Sequence, residues 1–267
     1  LRGIGFSCYI EDAGALNERM DLRVDMSGIV TIFSGTSNHG QGHETVYKQM
    51  VTDWLSVPFE NIRFVQNDTD RVPVGRGTYA SRSMVVGSNA LKNAVEGIIE
   101  SGKGFAAFML EAGHADIEYV DGMFVVSGTD KSVNFQQVAM MSYKPMGVPP
   151  ELGVGLEANG SYSVTMSSFP NGCHICEVEI DPDTGDVRLE RYNLVDDIGV
   201  VINPLLAAGQ MHGGVTQGIG EALYEFTAYD RSSGQLLSGS FMDYCMPRAD
   251  HIPEIGVEFH EVPCKNN

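Results

Sequence analysis

The chain has 267 residues, 43% hydrophobic and 19% charged, which is enough for one large or two ordinary domains with apolar cores. A formal net charge of −18 argues against a nucleic-acid partner, because neutralising phosphates requires clustered Lys and Arg side chains. No apolar run is long enough to span a bilayer and no signal peptide precedes the first strand pattern, so we expect a soluble, cytoplasmic protein.

The first predicted elements are strands. Residues 3–11 and 22–26 have strand patterns, and a Ser-Gly turn at 27–28 leads into a return strand at 29–34. The chain starts with Leu1 rather than Met and is already inside a strand pattern there. We therefore expect it to be a piece of a longer protein.

A glycine-rich turn, residues 38–45, separates this last strand from a helical pattern. The first N–H groups of a helix lack intrahelical partners and carry partial positive charge, so an anion is a natural ligand there. Glycines let the backbone approach such a ligand, and neighbouring polar side chains add hydrogen bonds. The candidate binding residues are Gln41, Gly42, His43 and Thr45. The alternative, in which the glycines only form a tight strand-to-helix turn, stays open.

His39 and His43 are four residues apart and suggest a second alternative, a zinc hydrolase that uses a nearby carboxylate. The motif is HGQGH rather than HExxH, and its two glycines disfavour a regular helix across the pair. The pattern therefore favours a turn over a zinc site.

A short strand is predicted at residues 62–66, and a second polar, glycine-rich loop at 70–83. A long helix follows, capped by Ser81 or Ser83 and running towards Phe108. This loop presents Thr78, Tyr79, Ser81 and Arg82 at a helix N-terminus. A guanidinium can bind a phosphate in a bidentate way, whereas the alternative is a solvated arginine beside a capping serine.

Residues 117–126 predict a hairpin with an Asp-Gly turn, residues 133–141 a short helix, and the Pro/Gly-rich run 145–155 a boundary between units. In the second half, residues 173–176 form a CxxC motif within a strand-like run. No second CxxC completes a zinc site, so we interpret these cysteines as core filling. The odd total of five cysteines fits a reducing compartment.

The second half repeats the order of the first. Residues 176–180 and 187–194 predict a hairpin, and after Asn203-Pro204 a glycine-rich helical pattern continues to Phe226. This order predicts an ancient duplication, which differing strand orders would refute. We therefore predict an α+β fold of two similar subdomains, 1–155 and 156–267, each with a mixed or antiparallel sheet and packed helices, the second incomplete at its C-terminus.

Several segments, in their order and spacing, resemble the molybdopterin-binding region of the molybdenum hydroxylase large subunit. That family includes xanthine dehydrogenases, aldehyde oxidases and aerobic carbon monoxide dehydrogenases. The similar segments are Gly40-Gln41-Gly42-His43-Glu44-Thr45, Gly77-Thr78-Tyr79-Ala80-Ser81-Arg82-Ser83, Gly209-Gln210-Met211-His212-Gly213-Gly214, Gln217-Gly218-Ile219-Gly220-Glu221-Ala222-Leu223, and the hairpin of Cys176-Glu177-Val178-Glu179-Ile180-Asp181 with Thr184-Gly185.

The resemblance implies a domain of the molybdopterin-binding type that holds molybdenum as molybdopterin cytidine dinucleotide. It also implies iron–sulfur clusters and FAD on partner domains or subunits, a small-molecule substrate, and an oligomer without nucleic acid. The cofactor-binding residues that it implies are Gln41, Gly42, His43, Thr45, Thr78, Tyr79, Ser81, Arg82, Asp197, Asn203 and Gln210.

By the same resemblance, the intact enzyme hydroxylates an electron-poor carbon of a purine, an aldehyde or an N-heterocycle with oxygen from water. The family's catalytic glutamate follows a motif like Cys264-Lys265-Asn266-Asn267, so we expect it beyond Asn267 and assign no catalytic residue here. Glu221 matches a different family segment and is not assigned as the base. We therefore expect no turnover from these 267 residues alone. The alternative is a catalytically inert cofactor-binding or structural module.

Overall fold

The protein combines helices and sheets, and the computed structural model describes residues 1–144 and 146–265. Pro145, in the predicted boundary segment, and Asn266 and Asn267, which end the motif at 264–267, lie outside these residues. The predicted α+β fold class is confirmed. In chain order the elements are β1 (Arg2–Ile10), β2 (Asn17–Val24), β3 (Val30–Ser34), α1 (His43–Leu55), β4 (Ile62–Gln66), α2 (Arg82–Val85), α3 (Gly87–Leu110), β5 (Ile117–Val120), β6 (Met123–Val126), β7 (Ser132–Asn134), α4 (Phe135–Ser142), β8 (Leu156–Ser163), β9 (Asn171–Ile180), β10 (Val187–Asp197), α5 (Pro204–Leu223) and β11 (Ile255–Phe259).

The chain divides into two compact units. The large-core unit is Asp12–Ser168, and the small-core unit combines Leu1–Glu11 with Phe169–Lys265. The predicted division into 1–155 and 156–267 differs from these units at both ends. The physical reason is strand pairing, since β1 pairs along its length with β9, and β8 pairs along its length with β2.

The large-core unit is built on a four-stranded sheet in the order β4-β3-β2-β8, in which only the β3/β4 pair is parallel. Met20, Leu22 and Val24 alternate along β2 and are fully buried, as expected for one covered face of a strand. Each such side chain stabilises the fold by roughly 1.5–3 kcal/mol. Helix α3 packs on this sheet so closely that a Cβ on Gly160 would lie 2.1 Å from the carbonyl oxygen of Ala90.

Two predicted helices of this unit differ in detail from the structure. The long helix expected after Ser81 is divided into α2 and α3 at Val86 and ends at Leu110. The helix expected at 133–141 starts at Phe135, because β7 takes the preceding residues and Asn134 forms a capping box with Gln137.

The small-core unit has a four-stranded sheet in the order β1-β9-β10-β11, in which only the β10/β11 pair is parallel. Helix α5 packs on one face of it through Val215 and Ile219, which contact Leu194 of β10. The helix ends at Leu223, three residues before the predicted end at Phe226. Among the residues that the structure describes, no helix is long and apolar enough to cross a membrane.

The two units share one spatial strand order, although β8 follows its hairpin along the chain and β1 precedes its own. Each has an antiparallel hairpin, then a helix, then a strand parallel to the second hairpin strand, as in β2-β3-α1-β4 and β9-β10-α5-β11. A fourth strand lies antiparallel to the first hairpin strand in both, β8 on β2 and β1 on β9. The strand orders therefore agree, as the duplication hypothesis requires.

Candidate functional site

The loop between β3 and α1 is organised by one side chain. The Oδ1 atom of Asn38 accepts hydrogen bonds from the backbone N–H groups of Gly42 (2.9 Å), Gly40 (3.3 Å) and His43 (3.4 Å). The N–H of Asn38 in turn donates to Oε1 of Gln66 at the end of β4 (2.9 Å). This network fixes the glycine-rich turn at the carboxyl ends of β3 and β4, which are a parallel pair.

The N-terminus of α1 is open. Its N-cap is Gly42, in the left-handed region at φ 81°, and no side chain of that residue caps the helix. Among the residues that the structure describes, no group accepts a hydrogen bond from the N–H of Glu44 or Thr45. The carboxylate of Glu44 is paired with Nζ of Lys48 at 3.6 Å, so part of its charge is balanced. Two backbone donors at the positive end of a helix are thus available to an anion.

His43, the first residue of α1, has a buried ring nitrogen with no partner. His43 is only 9% exposed, and its Nδ1 has no hydrogen-bond partner among the described residues. Burial, and secondarily the charge of His39, lower the pKa of the His43 imidazole below its usual value of 6.5. A neutral imidazole with a free nitrogen can form one further hydrogen bond to a ligand or a water molecule.

The zinc alternative needs His39 and His43 close together with a third ligand. His39 is exposed and precedes α1, so the two residues are not one helical turn apart. Within residues 1–144 and 146–265, no group of three or more His, Cys, Asp or Glu side chains is arranged to hold a metal ion.

The second predicted loop, residues 77–83, is attached to the first through Thr78. Its Oγ1 accepts from the N–H of Ser37 (2.9 Å) and from Oγ of Ser83 (3.2 Å), and donates to the carbonyl of Ser37 (2.7 Å). The backbones also meet at Gly35 and Gly75, where a Cβ on Gly35 would lie 2.4 Å from the Cα of Gly75. The structure therefore brings these two glycine-rich loops of the large-core unit together.

Arg82 supports this arrangement from inside the protein. Its side chain is fully buried, and Nη1 donates to Oε2 of Glu18 and to the carbonyl of Gly77, both at 2.7 Å. Nη2 donates to the carbonyl of Asn17 (2.6 Å) and Nε to that of Ala15 (3.3 Å). The sequence predicts that this guanidinium contacts the cofactor, whereas in the structure all three of its nitrogens bind protein groups.

The tip of the second loop is exposed and strained. Tyr79 and Ser81 are exposed, and Ala80 and Ser81 have φ values of 49° and 53° in the left-handed region that side chains disfavour. The carbonyl of Ala80 accepts a hydrogen bond from the N–H of Gly14 (2.8 Å), and the Arg82 guanidinium lies 5.6 Å from the Tyr79 ring centroid. Such conformations persist where the surroundings hold them, as the buried arginine does here.

The other three predicted cofactor residues belong to the small-core unit, at its own strand-to-helix connection. Oδ1 of Asp197, the last residue of β10, accepts from the N–H groups of Gly199 (2.9 Å) and Val262 (3.1 Å). Asn203 is the N-cap of α5, and Gln210 is exposed on that helix. Of the eleven predicted residues, four thus lie at the β3–α1 connection, four in the second loop of the same unit, and three at the end of β10, the start of α5 or on that helix.

Helix α5 contains five glycines. Beside Gly209, Gly213, Gly214 and Gly218 a Cβ would meet no described atom within 4 Å. Only at Gly220 would it meet neighbours, with Cδ of Pro247 at 3.0 Å. Within the described residues, the surface of α5 is therefore open beside four of its five glycines.

Two residues that organise the site were missed by sequence reasoning. Asn38 had a local signal, because an Asn shortly before Gly is typical of a turn in which the side chain bonds the backbone. Glu18 had none, since its partner Arg82 lies 64 residues further along the chain.

A family model described as molybdopterin cofactor-binding domain matches residues 1–253. The chain is 37% identical over 254 residues to the 6-hydroxypseudooxynicotine dehydrogenase complex subunit gamma of Paenarthrobacter nicotinovorans, covering 95% of this chain and 32% of that protein. It is 33% identical over 276 residues to the carbon monoxide dehydrogenase large chain of Afipia carboxidovorans, covering 98% and 34%. The chain thus spans about a third of the length of these relatives.

Solved structures give the same result. A Cu,Mo-CO dehydrogenase in its carbon monoxide reduced state is similar with a TM-score of 0.90 and 33% identity, covering 100% of this chain and 35% of that one. Quinoline 2-oxidoreductase from Pseudomonas putida 86 is similar with a TM-score of 0.89 and 32% identity, covering 99% and 35%.

Proposed function

This chain belongs to the molybdopterin cofactor-binding domain family, as part of a molybdenum hydroxylase large subunit, and we propose that it holds molybdenum as molybdopterin cytidine dinucleotide. The dinucleotide form is proposed because the turn at 40–45 resembles the one that binds it in bacterial members. The pyrophosphate of such a cofactor is an anion, and in an acidic chain it has to be bound mainly by backbone amides and neutral side chains.

The observation that carries the proposal is the open start of α1. The N–H groups of Glu44 and Thr45 follow a glycine N-cap, and beside them Nδ1 of His43 is buried and has no hydrogen-bond partner in the part of the chain that the structure describes. An unsatisfied buried nitrogen costs about 1–3 kcal/mol, a cost that a ligand or water contacting it removes. The donor set therefore fits a bound anion with a hydrogen-bonding group beside it.

The roles of the other residues follow from their contacts. Gln41 and Thr45 are half-buried in and beside the turn, and their side chains can donate to phosphate oxygens. Tyr79 and Ser81 are the exposed hydroxyls of the second loop, and Thr78 positions that loop against the first. We assign Arg82 to positioning as well, because its charge is already neutralised by Glu18.

In the small-core unit we propose Asp197, Asn203 and Gln210 as the second set of cofactor residues. Asp197 holds the turn after β10, and Asn203 fixes the start of α5, so both keep this connection in shape. Gln210 is exposed on α5 and has an amide that can donate to a ligand.

When bound, the molybdenum cofactor supplies hydroxylation of an electron-poor carbon with oxygen from water. We propose that the intact protein carries out this reaction with a glutamate base beyond Asn267, and passes electrons to iron–sulfur and FAD partners. Several relatives are described as a subunit or chain of a larger enzyme. The residues described above bind and orient the cofactor, and none of them is proposed to act on the substrate.

The test is metal and nucleotide analysis of the intact parent protein, expressed in a host that makes the cofactor. We expect molybdenum by elemental analysis and CMP after acid hydrolysis, each near one per chain. AMP or GMP in place of CMP would contradict the cytidine form, and the absence of both molybdenum and nucleotide would favour an inert structural module. With cofactor present, turnover is then screened with N-heterocycles, purines, aldehydes and carbon monoxide.

A further inference from the structure

Cys8 and Cys173 lie directly opposite each other on β1 and β9 of the small-core unit. Leu1 and Ile180 at the end of this pair of strands exchange both backbone hydrogen bonds, and the N–H of Glu11 donates to Pro170. The odd-numbered positions of β1 are therefore the hydrogen-bonded pairs, and Cys8 is at a non-hydrogen-bonded one. Side chains at such positions are the closer ones, with Cα atoms about 4.5 Å apart.

The two thiols interact. A hydrogen bond to Cys8 is the main cause that raises the pKa of the Cys173 thiol, and burial is the second cause. Cys8 is exposed and Cys173 is half-buried. An accessible thiol opposite a more shielded one is an arrangement in which a mixed disulfide on the first can be attacked by the second.

The CxxC motif is not the pair that the structure forms. Cys173 and Cys176 are three residues apart on β9, so their side chains point to opposite faces of the sheet. Cys176 is instead close to Tyr192, whose pKa its charge helps to raise. The partner of Cys173 is 165 residues away in sequence, which is why the motif alone did not reveal it.

The face around the pair is apolar. Phe6 and Ile10 are next on the same side of β1, and Val195 lies beside Cys173 on β10, all of them exposed. The chain as a whole carries a formal charge of −18, which repels anionic reagents. A small, uncharged disulfide is therefore the class of reagent that this surface admits best.

We propose that Cys8 and Cys173 form a dithiol site that reacts with low-molecular-weight disulfides and closes into a reversible intrachain disulfide. The thiolate of Cys8 attacks one sulfur of the small disulfide, whose S–S bond breaks and releases one thiolate. Cys173 then loses its proton to solvent and attacks the Cys8 sulfur, releasing the second thiolate. The two protein thiols lose two electrons in total, and the small disulfide becomes two thiols.

The product joins β1 covalently to β9. Because β1 is an edge strand whose residues are all exposed, backbone pairing to β9 is its main attachment within the small-core unit. The disulfide would hold residues 1–11 in that unit when the backbone bonds open. This inference does not depend on the proposed cofactor, because it is argued from the pairing of β1 with β9.

The experiment treats the 267-residue chain with 2-hydroxyethyl disulfide, then labels the remaining thiols with a maleimide and maps the peptides by mass spectrometry. We expect free thiols to fall from five to three per chain, with Cys8 and Cys173 recovered as one cross-linked peptide. Dithiothreitol should restore all five. A chain in which Cys8 stays in a mixed disulfide with the reagent would overturn the proposal.

Three variants make the test specific. Cys176→Ser is the matched control, because it removes a thiol from the same strand but from the opposite face, and it should still lose two thiols on treatment. Cys8→Ser and Cys173→Ser should give no intrachain cross-link. Equal cross-linking in Cys8→Ser, or a cross-link through Cys245 or Cys264 in the wild type, would contradict the assignment.

Discussion

The two strand-to-helix connections have the same topology but opposite helix starts. Helix α5 begins with Asn203, whose Oδ1 accepts from the N–H of Leu206 at 3.0 Å, followed by Pro204, which has no N–H to satisfy. Helix α1 begins with Gly42, which provides no side-chain cap. The same strand-to-helix arrangement can therefore have a capped or an uncapped helix start. The residue at the N-cap determines whether backbone N–H groups of the first turn remain available to a ligand.

The two units also differ in the size of their hydrophobic cores. Nearly all buried apolar side chains of the described residues lie in the large-core unit, and the small-core unit contributes Leu194, Val215 and Ile219. A helix start with unpaired donors and a neighbouring loop with two strained residues both cost stability. The large-core unit can offset that cost, and this is where the open start occurs.

The largest expected effect comes from removing the support beneath the open start. Arg82→Met leaves the carboxylate of Glu18 buried without its partner, so we expect the large-core unit to lose about 3–5 kcal/mol. The single tryptophan, Trp54, lies on α1, and its fluorescence during urea unfolding reports on this unit. The double variant with Glu18→Met should recover much of the loss, because no charge is then left buried.

Arg23→Met is the matched control for that experiment. Arg23 pairs with Glu157 at 3.4 Å in the same sheet, but both side chains are mostly exposed. We expect a change of at most about 1 kcal/mol. Comparable losses in the two variants would mean that the buried pair has no special part in supporting the site.

The next effect is on cofactor content. Gly42→Asp puts a carboxylate where an anion is expected to bind, and Gly42→Asn puts a neutral group of the same size there. Asn tolerates the left-handed conformation of residue 42 and shares most of the steric cost. We expect molybdenum per chain in the intact protein to fall at least about tenfold for the Asp variant relative to the Asn variant, a difference of about 1.4 kcal/mol. Equal losses of molybdenum in the two variants would mean that the size of the side chain at residue 42, rather than its charge, reduces cofactor binding.

Local periodicity made much of the fold predictable. The strand at residues 62–66 was predicted with the bounds that β4 has, and the start of α5 followed from Asn203-Pro204. The units were predicted less well, because the pairing of β1 with β9 joins residues more than 160 positions apart. A local sequence pattern cannot predict which residues pair between two strands so far apart in the chain.

The site was predictable to a similar depth. The glycine-rich turn predicts a helix N-terminus without a side-chain cap, and α1 has such an N-terminus at Gly42. Arg82 shows the limit, since a lone arginine near a capping serine looks the same whether it faces solvent or a buried carboxylate. Its role depends on Glu18, which the fold brings to it from β2.

A smaller effect is expected at the capped N-terminus of α5. Asn203→Ala removes the side-chain cap of α5 and should cost about 1 kcal/mol locally. We expect faster hydrogen exchange at the amides of the first turn of α5, with the Trp54 unfolding transition unchanged. Asn203→Asp is the control, because a carboxylate caps a helix as well as an amide does. Unchanged exchange in the Ala variant would mean that Pro204 and packing fix this start without the cap.

The smallest effect is a pH dependence that only the open start should have. Burial, and secondarily the charge of His39, hold the pKa of the His43 imidazole below 6.5 in the folded protein. In the unfolded chain the same group binds a proton near pH 6.5, so the large-core unit loses stability as the pH falls through that value towards the lowered folded pKa.

His43→Gln should remove this slope in stability between about pH 7.5 and 5.5 in Trp54-monitored urea unfolding. His39→Gln, at an exposed neighbour that contributes only part of the shift, should leave most of the slope. Because α5 starts with Asn203 and Pro204, which do not titrate, hydrogen exchange in its first turn, corrected for the intrinsic rate, should stay constant over this range. An equal pH response at the two helix starts would mean that the slope arises from charges elsewhere in the chain.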